Sequence, residues 1–280
     1  MNLRRFIPIE RFRDPPPVVA VLRLAGVIGR LGPLRAGLDL RGLEKQIERA
    51  FSFRHLSAVA LAINSPGGSA VQSAEIFRRI RALADEKEVP VIAFAEDVAA
   101  SGGYWLALAG DEIYADAASI VGSIGVLFQS FGLSDAISRL GIERRVHTAG
   151  ARKGALDAFQ PENAEDVAML KSVQADVHEA FKDVVRTRRG DRLKGEEKEL
   201  FSGAFWSGKR AVELGLVDGL GDLRSVMRAR FGERVRFKPV DGDRPWWRAR
   251  LGVTGPDPLA MGEGVIAALE ERLIWSRYGL

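Results

Sequence analysis

The chain contains no cysteine, which excludes disulfides, thiolate catalysis and thiolate-bound zinc. Histidine is scarce too. His55, His147 and His178 are far apart in sequence, so no metal centre is expected. No run of about 18 uncharged apolar residues occurs, so no membrane span is expected. The most apolar region, 89–110, carries Glu96 and Asp97 in its middle. Residues 1–17 are broken by Pro8, Glu10, Arg11, Arg13 and Asp14, unlike the apolar core of a secretory leader. The expected location is cytoplasmic. An excess of one charge is missing as well: 41 Lys and Arg against 37 Asp and Glu leave a net +4. That small, dispersed excess, without a basic stripe or aromatic platform, argues against nucleic acid as a partner.

What is present suits a soluble globular protein. The 280 residues are 46% hydrophobic and 28% charged, enough for a substantial core. After an arm over residues 1–17 ending in Pro15-Pro16-Pro17, three apolar segments read as buried strands: 18–29, 57–63 and 89–95. Between them lie helical segments. Leu40, Leu43, Ile47, Ala50 and Phe51 share one face, and Ser69 is an N-cap for a helix to about Asp85. Strands apolar on both faces, alternating with helices, predict an α/β fold with a mostly parallel sheet flanked by helices. Shorter elements follow at DEIYAD, IGVLFQ and IERRVHT. The longest helix is expected from near Pro161 to Arg189, with a stripe of Val167, Leu170, Val173, Val177, Phe181, Val184 and Val185. Residues 18–240 then form one main domain. Residues 241–280 read as a Gly/Pro-rich linker and a C-terminal amphipathic helix over about 263–277.

Ligands of open α/β sheets bind beyond the carboxyl ends of the strands. Two such ends carry Asn64-Ser65-Pro66-Gly67-Gly68-Ser69 and Ala99-Ala100-Ser101-Gly102-Gly103. Ser101 has small neighbours that let a carbonyl approach, and it stands where a helix begins. Gly67-Gly68 suit a turn whose N–H points into a cleft, where it would pair with the Gly102 amide as an oxyanion hole. Local sequence leaves blander readings open: Ser101 as an N-cap and the glycines as an ordinary turn. No G-x-S-x-G elbow surrounds Ser101, and each histidine has a structural explanation, so a histidine triad fits poorly. A lysine base needs its amine shifted from about 10.4 to near 7–8, mainly by burial. Lys153, in AGARKG, has small neighbours, although its position alone also suits a surface lysine.

Four ordered segments carry a resemblance: INSPGGS, AASGGYWLALAGDEIYADAASIVGSIGV, AGARKG and FSGAFWSGKRAVELGLVDGLG. Together, over about residues 18–240, the chain resembles the signal peptide peptidase A family, serine–lysine peptidases of the ClpP/crotonase superfamily. The resemblance implies a ClpP/crotonase-like fold and no cofactor or metal. It implies Ser101 as nucleophile, Lys153 as general base, Ser123 as the serine that orients the lysine, and Gly68 and Gly102 as oxyanion donors. It implies homo-oligomers, rings or domes, in some of which serine and lysine come from neighbouring subunits. Substrates would be extended, mostly apolar peptides such as signal-peptide remnants, with small or aliphatic side chains next to the cleaved bond. Family members often carry a membrane anchor. No span is expected here, which leaves peripheral attachment through the Arg-rich ends as the membrane alternative. Two rivals stand beside the peptidase: a non-catalytic scaffold or membrane-binding protein of the same fold, and a crotonase-like acyl-CoA enzyme using Glu75 or Glu96.

Overall fold

Three parallel strands form the centre: β1 (Val18–Ala25), β2 (Leu56–Ser65) and β3 (Val91–Ala100). Their middles are Val, Leu, Ile, Ala and Phe, and nearly every side chain there is buried, as a sheet covered on both faces requires. The computed structural model describes residues 15–29, 37–240, 272 and 274–279. Among these, further strands complete the sheet: β4 (Glu112–Ala115), β5 (Ile120–Gly122), β6 (Phe205–Ser207), β7 (Gly219–Leu220) and β8 (Arg236–Pro239). The main order is β6-β5-β3-β2-β1-β8, with β4 also on β3 and β7 on β4. Every pair is parallel except β5–β6.

Helices cover both faces. On one lie α1 (Leu40–Ala50), α2 (Ala70–Lys87), α3 (Gly102–Ala107) and the end of α5 (Ala164–Arg189), with the exposed α4 (Ser134–Arg139) between the last two in sequence. Further along are α6 (Glu197–Leu200), α7 (Gly208–Glu213) and α8 (Leu223–Phe231). Met227 of α8 packs against Val19, Ala58, Ala60, Ile92 and Phe94 on the opposite face, giving a three-layer arrangement. Asp39 and Ser69 cap α1 and α2 by accepting from the amides of Gly42 and Gln72. The wholly buried α3 is pinned by Trp105 stacked on Phe181 of α5, centroids 4.6 Å apart, and by the Tyr104 hydroxyl donating to Leu216 O at 2.7 Å. Burial pushes the Tyr104 phenol up, so it stays a donor.

Several elements differ from the sequence expectation. β3 continues through Glu96 and Asp97 to Ala100, where a loop was expected. Its first half pairs with β4 and its second with β5, so the polar pair falls where pairing changes partner. IGVLFQ and IERRVHT form no strand, and no described strand pairs with them. α5 begins after Asn163, whose side chain accepts from the Glu165 amide. Of its apolar stripe only Phe181 and Val185 are buried, because the helix meets the core only near its end. Most of the expected arm (1–17) and of the segment 241–280 lies outside the described residues. Residues 272 and 274–276 are helical, within the expected 263–277.

Candidate active site

Ser101 follows β3 directly. Its N–H donates to Gly122 O at 2.8 Å, extending the β3–β5 pairing by one residue, and its carbonyl accepts from Trp105 N at 3.0 Å as α3 starts. One residue therefore ends a strand and begins a helix. It does so at φ 53°, ψ −122°, a positive φ that a side chain adopts at a cost of about 1–3 kcal/mol. The hydroxyl is not spent on capping α3, and no partner for it exists among the described residues. Ser101 thus stands at the N-cap position of α3 without its side chain capping the helix.

The loop after β2 meets this elbow. Pro66-Gly67-Gly68 turns back over Ser101, and a Cβ added to Gly67 would lie 2.7 Å from the Ser101 Cβ and 2.8 Å from Gly102 N. Only glycine permits that approach. Ile28 clamps the loop, donating from N to Gly67 O at 2.8 Å and accepting from Ser69 N at 2.8 Å. The same bonds turn the Gly68 amide away from Ile28. A Cβ added to Gly102 would come within 3.3 Å of Gly68 N, so the two residues face each other. Neither the Gly68 nor the Gly102 amide donates to any described residue. Two free donors beside a free hydroxyl can receive a carbonyl oxygen that gains negative charge.

Ser123 follows β5 at φ 53°, its N–H donating to Ala204 O at 2.7 Å, and it is buried. Its Oγ lies 3.4 Å from the hydroxyl of Tyr278, which also faces Pro66 O at 3.5 Å. The next residue's carbonyl, Ile124 O, is 3.1 Å from Nε2 of His178 on α5, so that histidine braces the backbone beyond Ser123.

Lys153 is not gathered with these groups. It is exposed, in a turn where its N–H donates to Gly150 O at 3.1 Å, and its amine has no ion-pair or hydrogen-bond partner among the described residues. Its neighbour Arg152 ties the turn to the start of α5 through Glu165 at 2.8 Å and Asp166 at 3.6 Å. The described residues of the chain do not supply the burial a neutral lysine requires. The carboxylates of the acyl-CoA alternative are engaged elsewhere: Glu96 pairs with Arg23 at 2.8 Å, and Glu75 accepts from Gln72 at 2.9 Å. A cleft of about 1170 Å³, lined by Arg23, Glu96, Asp116, Asp222 and Arg224 among others, includes none of Ser101, Ser123 or Gly68. No cluster of potential metal ligands occurs among the described residues.

Sequence inspection missed Ile28, which fixes the Gly68 loop, and Tyr278. A lone isoleucine in a strand-like run carries no signal of that role. Tyr278 lies one residue past the amphipathic stretch that drew attention, and the pairing spans 155 residues.

The elbow, the facing amides and Ser123 fall in or beside the stretch matched by one family model, Peptidase family S49, over residues 84–232. The chain belongs to peptidase family S49. The signal peptide peptidase A resemblance and the three-layer, ClpP/crotonase-like fold are in accord with it. Over 73% of its length this S49 chain is 33% identical to "Serine protease SPPA, chloroplastic" of Arabidopsis thaliana, covering 31% of that protein. Over 76% it is 31% identical to "Protease 4" of Haemophilus influenzae, covering 34%. Over 99% it is 48% identical to a Brucella abortus protein named "Na(+)/H(+) antiporter NhaA", covering 39% of it. The chain therefore spans about a third to two fifths of these relatives. The antiporter name belongs to that longer protein. Among the described residues of this S49 chain no helix is long and apolar enough to cross a membrane.

Proposed function

We propose that the chain is a serine endopeptidase with Ser101 as nucleophile and Lys153 as general base. The observation that carries this is the Ser101 hydroxyl on a strained strand-to-helix elbow, beside the Gly68 and Gly102 amides, all three without a hydrogen-bond partner among the described residues. Ser101 Oγ adds to the scissile carbonyl while its proton passes to the neutral Lys153 amine. The carbonyl oxygen takes up charge between Gly68 N–H and Gly102 N–H. The C–N bond breaks as Lys153 returns the proton to the leaving amine, and water then hydrolyses the acyl-enzyme by the same proton path. No cofactor enters these steps.

The exposure of Lys153 favours a site shared between subunits. Its segment is rich in exposed apolar side chains: Phe131 is 82% exposed, Leu140 73%, Leu127 58% and Ile142 54%. Side chains of this size are left bare where another surface covers them. A second copy laid on residues 126–146 would bury them and bring a lysine toward Ser123 and Ser101. Extended, largely apolar peptides are the substrates, bound by backbone pairing alongside the Gly67–Ser69 loop and the segment after Ser123.

The test is hydrolysis of an apolar fluorogenic peptide by wild type, Ser101→Ala, Lys153→Ala and an equimolar mixture of the two variants. Each variant alone is inactive, and the mixture regains activity because hybrid assemblies contain intact sites. Turnover by Ser101→Ala alone rules Ser101 out as the nucleophile. An inactive mixture beside an active wild type places both residues in one chain.

A further inference from the structure

The 274–279 segment docks on the site itself. Tyr278 is 7% exposed although it follows a long stretch of chain, and its ring packs with Val98, Ala100, Ile120 and Trp275. Ala100 is the residue before Ser101. The ring of Phe205, from β6, meets Tyr278 edge-on at 5.3 Å. The phenol reaches past these apolar groups to Ser123 Oγ and Pro66 O, and the Tyr278 amide closes a turn onto Trp275 O at 2.9 Å. An aromatic side chain thus lies in an apolar cradle beside the strand that leads into Ser101, its polar end on the buried hydroxyl of Ser123.

We propose that residues 275–278 are an internal latch: Tyr278 occupies the cradle beside Ser101 and holds Ser123, and peptide and lysine gain access only when the segment leaves. The latch rests on Ser101 being the nucleophile. Its hold is modest by construction. The two phenol contacts, at 3.4 and 3.5 Å, are long for hydrogen bonds, so the docking rests mainly on the burial of Tyr278 and the contact of Trp275. An occupant held this way is displaced by a peptide that presents a comparable apolar side chain, or by an assembling subunit. The latch therefore keeps the site shut without substrate and open with it. It also accounts for Phe205, which at 48% exposure makes its ring contact with Tyr278 rather than entering the core.

The experiment measures the labelling rate of Ser101 by a fluorophosphonate in wild type, Tyr278→Ala and Tyr278→Phe full-length protein. Deuterium uptake at residues 275–279 is followed in the same samples. Tyr278→Ala is expected to label at least ten-fold faster than wild type and Tyr278→Phe by a smaller factor, since Phe keeps the ring and loses the hydroxyl. The Tyr278 amide exchanges slowly in wild type, and that of residue 278 rapidly in Tyr278→Ala. Equal labelling of wild type and Tyr278→Ala overturns the latch and leaves Ser101 as nucleophile. Rapid exchange at 275–279 in wild type also overturns the latch, whatever the labelling. Absence of labelling in all three proteins instead overturns Ser101 as an activated nucleophile, and the latch with it.

Discussion

Substituting Gly68 by alanine is the sharpest test of the oxyanion geometry. The residue has φ +142°, and the new methyl would stand 2.1 Å from Ile28 O and 2.9 Å from Ile28 N. Neither neighbour is a flexible side chain that could swing away. The Gly68 loop must move off Ile28, lengthening the 2.8 Å bonds Ile28 N→Gly67 O and Ser69 N→Ile28 O. Those bonds are worth about 1 kcal/mol each, and the positive φ costs alanine a further 1–3 kcal/mol or so. The shift carries the Gly68 N–H away from Gly102. Loss of one oxyanion donor lowers kcat by roughly 100- to 1,000-fold. Peptide hydrolysis gives kcat and KM, and circular dichroism with a thermal melt reports folding. The control is Gly232→Ala, which also takes a positive φ (+85°) but whose methyl meets nothing within 4 Å. It loses about 1 kcal/mol of stability and keeps wild-type kcat. A folded Gly68→Ala with kcat within a few-fold of wild type refutes the assignment of that amide to the oxyanion hole.

Further consequences concern stability and assembly. Asp218→Asn leaves the buried Arg189 guanidinium, paired with Asp218 at 2.7 Å, without its countercharge, and costs about 3–5 kcal/mol in urea unfolding. Burial pushes the Asp218 carboxyl up, but hydrogen bonds from Arg189 and the Ile113 amide outweigh it and hold the carboxyl below its usual range. The folded pKa therefore lies below the unfolded one. This stabilisation is present above about pH 4 and drains away as pH falls further, so wild-type Tm drops steeply there while that of Asp218→Asn drops less. Phe131→Asp places a charge on the exposed apolar segment. It shifts sedimentation toward smaller species with loss of peptidase activity; unchanged assembly contradicts the role given to residues 126–146.

The fold was legible because its central strands are apolar throughout and its helices keep a clean period. Val18–Ala25, Leu56–Ser65 and the first half of Val91–Ala100 lie where the apolar runs fall, and Ser69 caps as its chemistry suggests. The far half of β3 was not legible, because Glu96 and Asp97 look like loop residues. They sit where the strand exchanges β4 for β5, and Asp97 accepts from Asn64 Nδ2 at 2.6 Å across the neighbouring strand. In the candidate site, the glycines and Ser101 could be noticed at the strand ends, but local sequence left a plain turn and an N-cap as open readings; the close backbone approach at Gly67 and Gly68 shows only in three dimensions. Lys153 could be picked out only by resemblance. Among the described residues its surroundings are solvent, and the intersubunit site proposed for it would leave no local pattern to read. Tyr278 was invisible for a related reason: long-range docking of one aromatic ring leaves no periodicity to read.

The central claim is an activated Ser101 that depends on Lys153. Intact-mass spectrometry after treatment with a fluorophosphonate tests it on wild type, Ser101→Ala and Lys153→Ala. One adduct on wild type, absent from both folded variants, is the predicted result. An adduct that persists in Ser101→Ala, or undiminished labelling of Lys153→Ala, contradicts it.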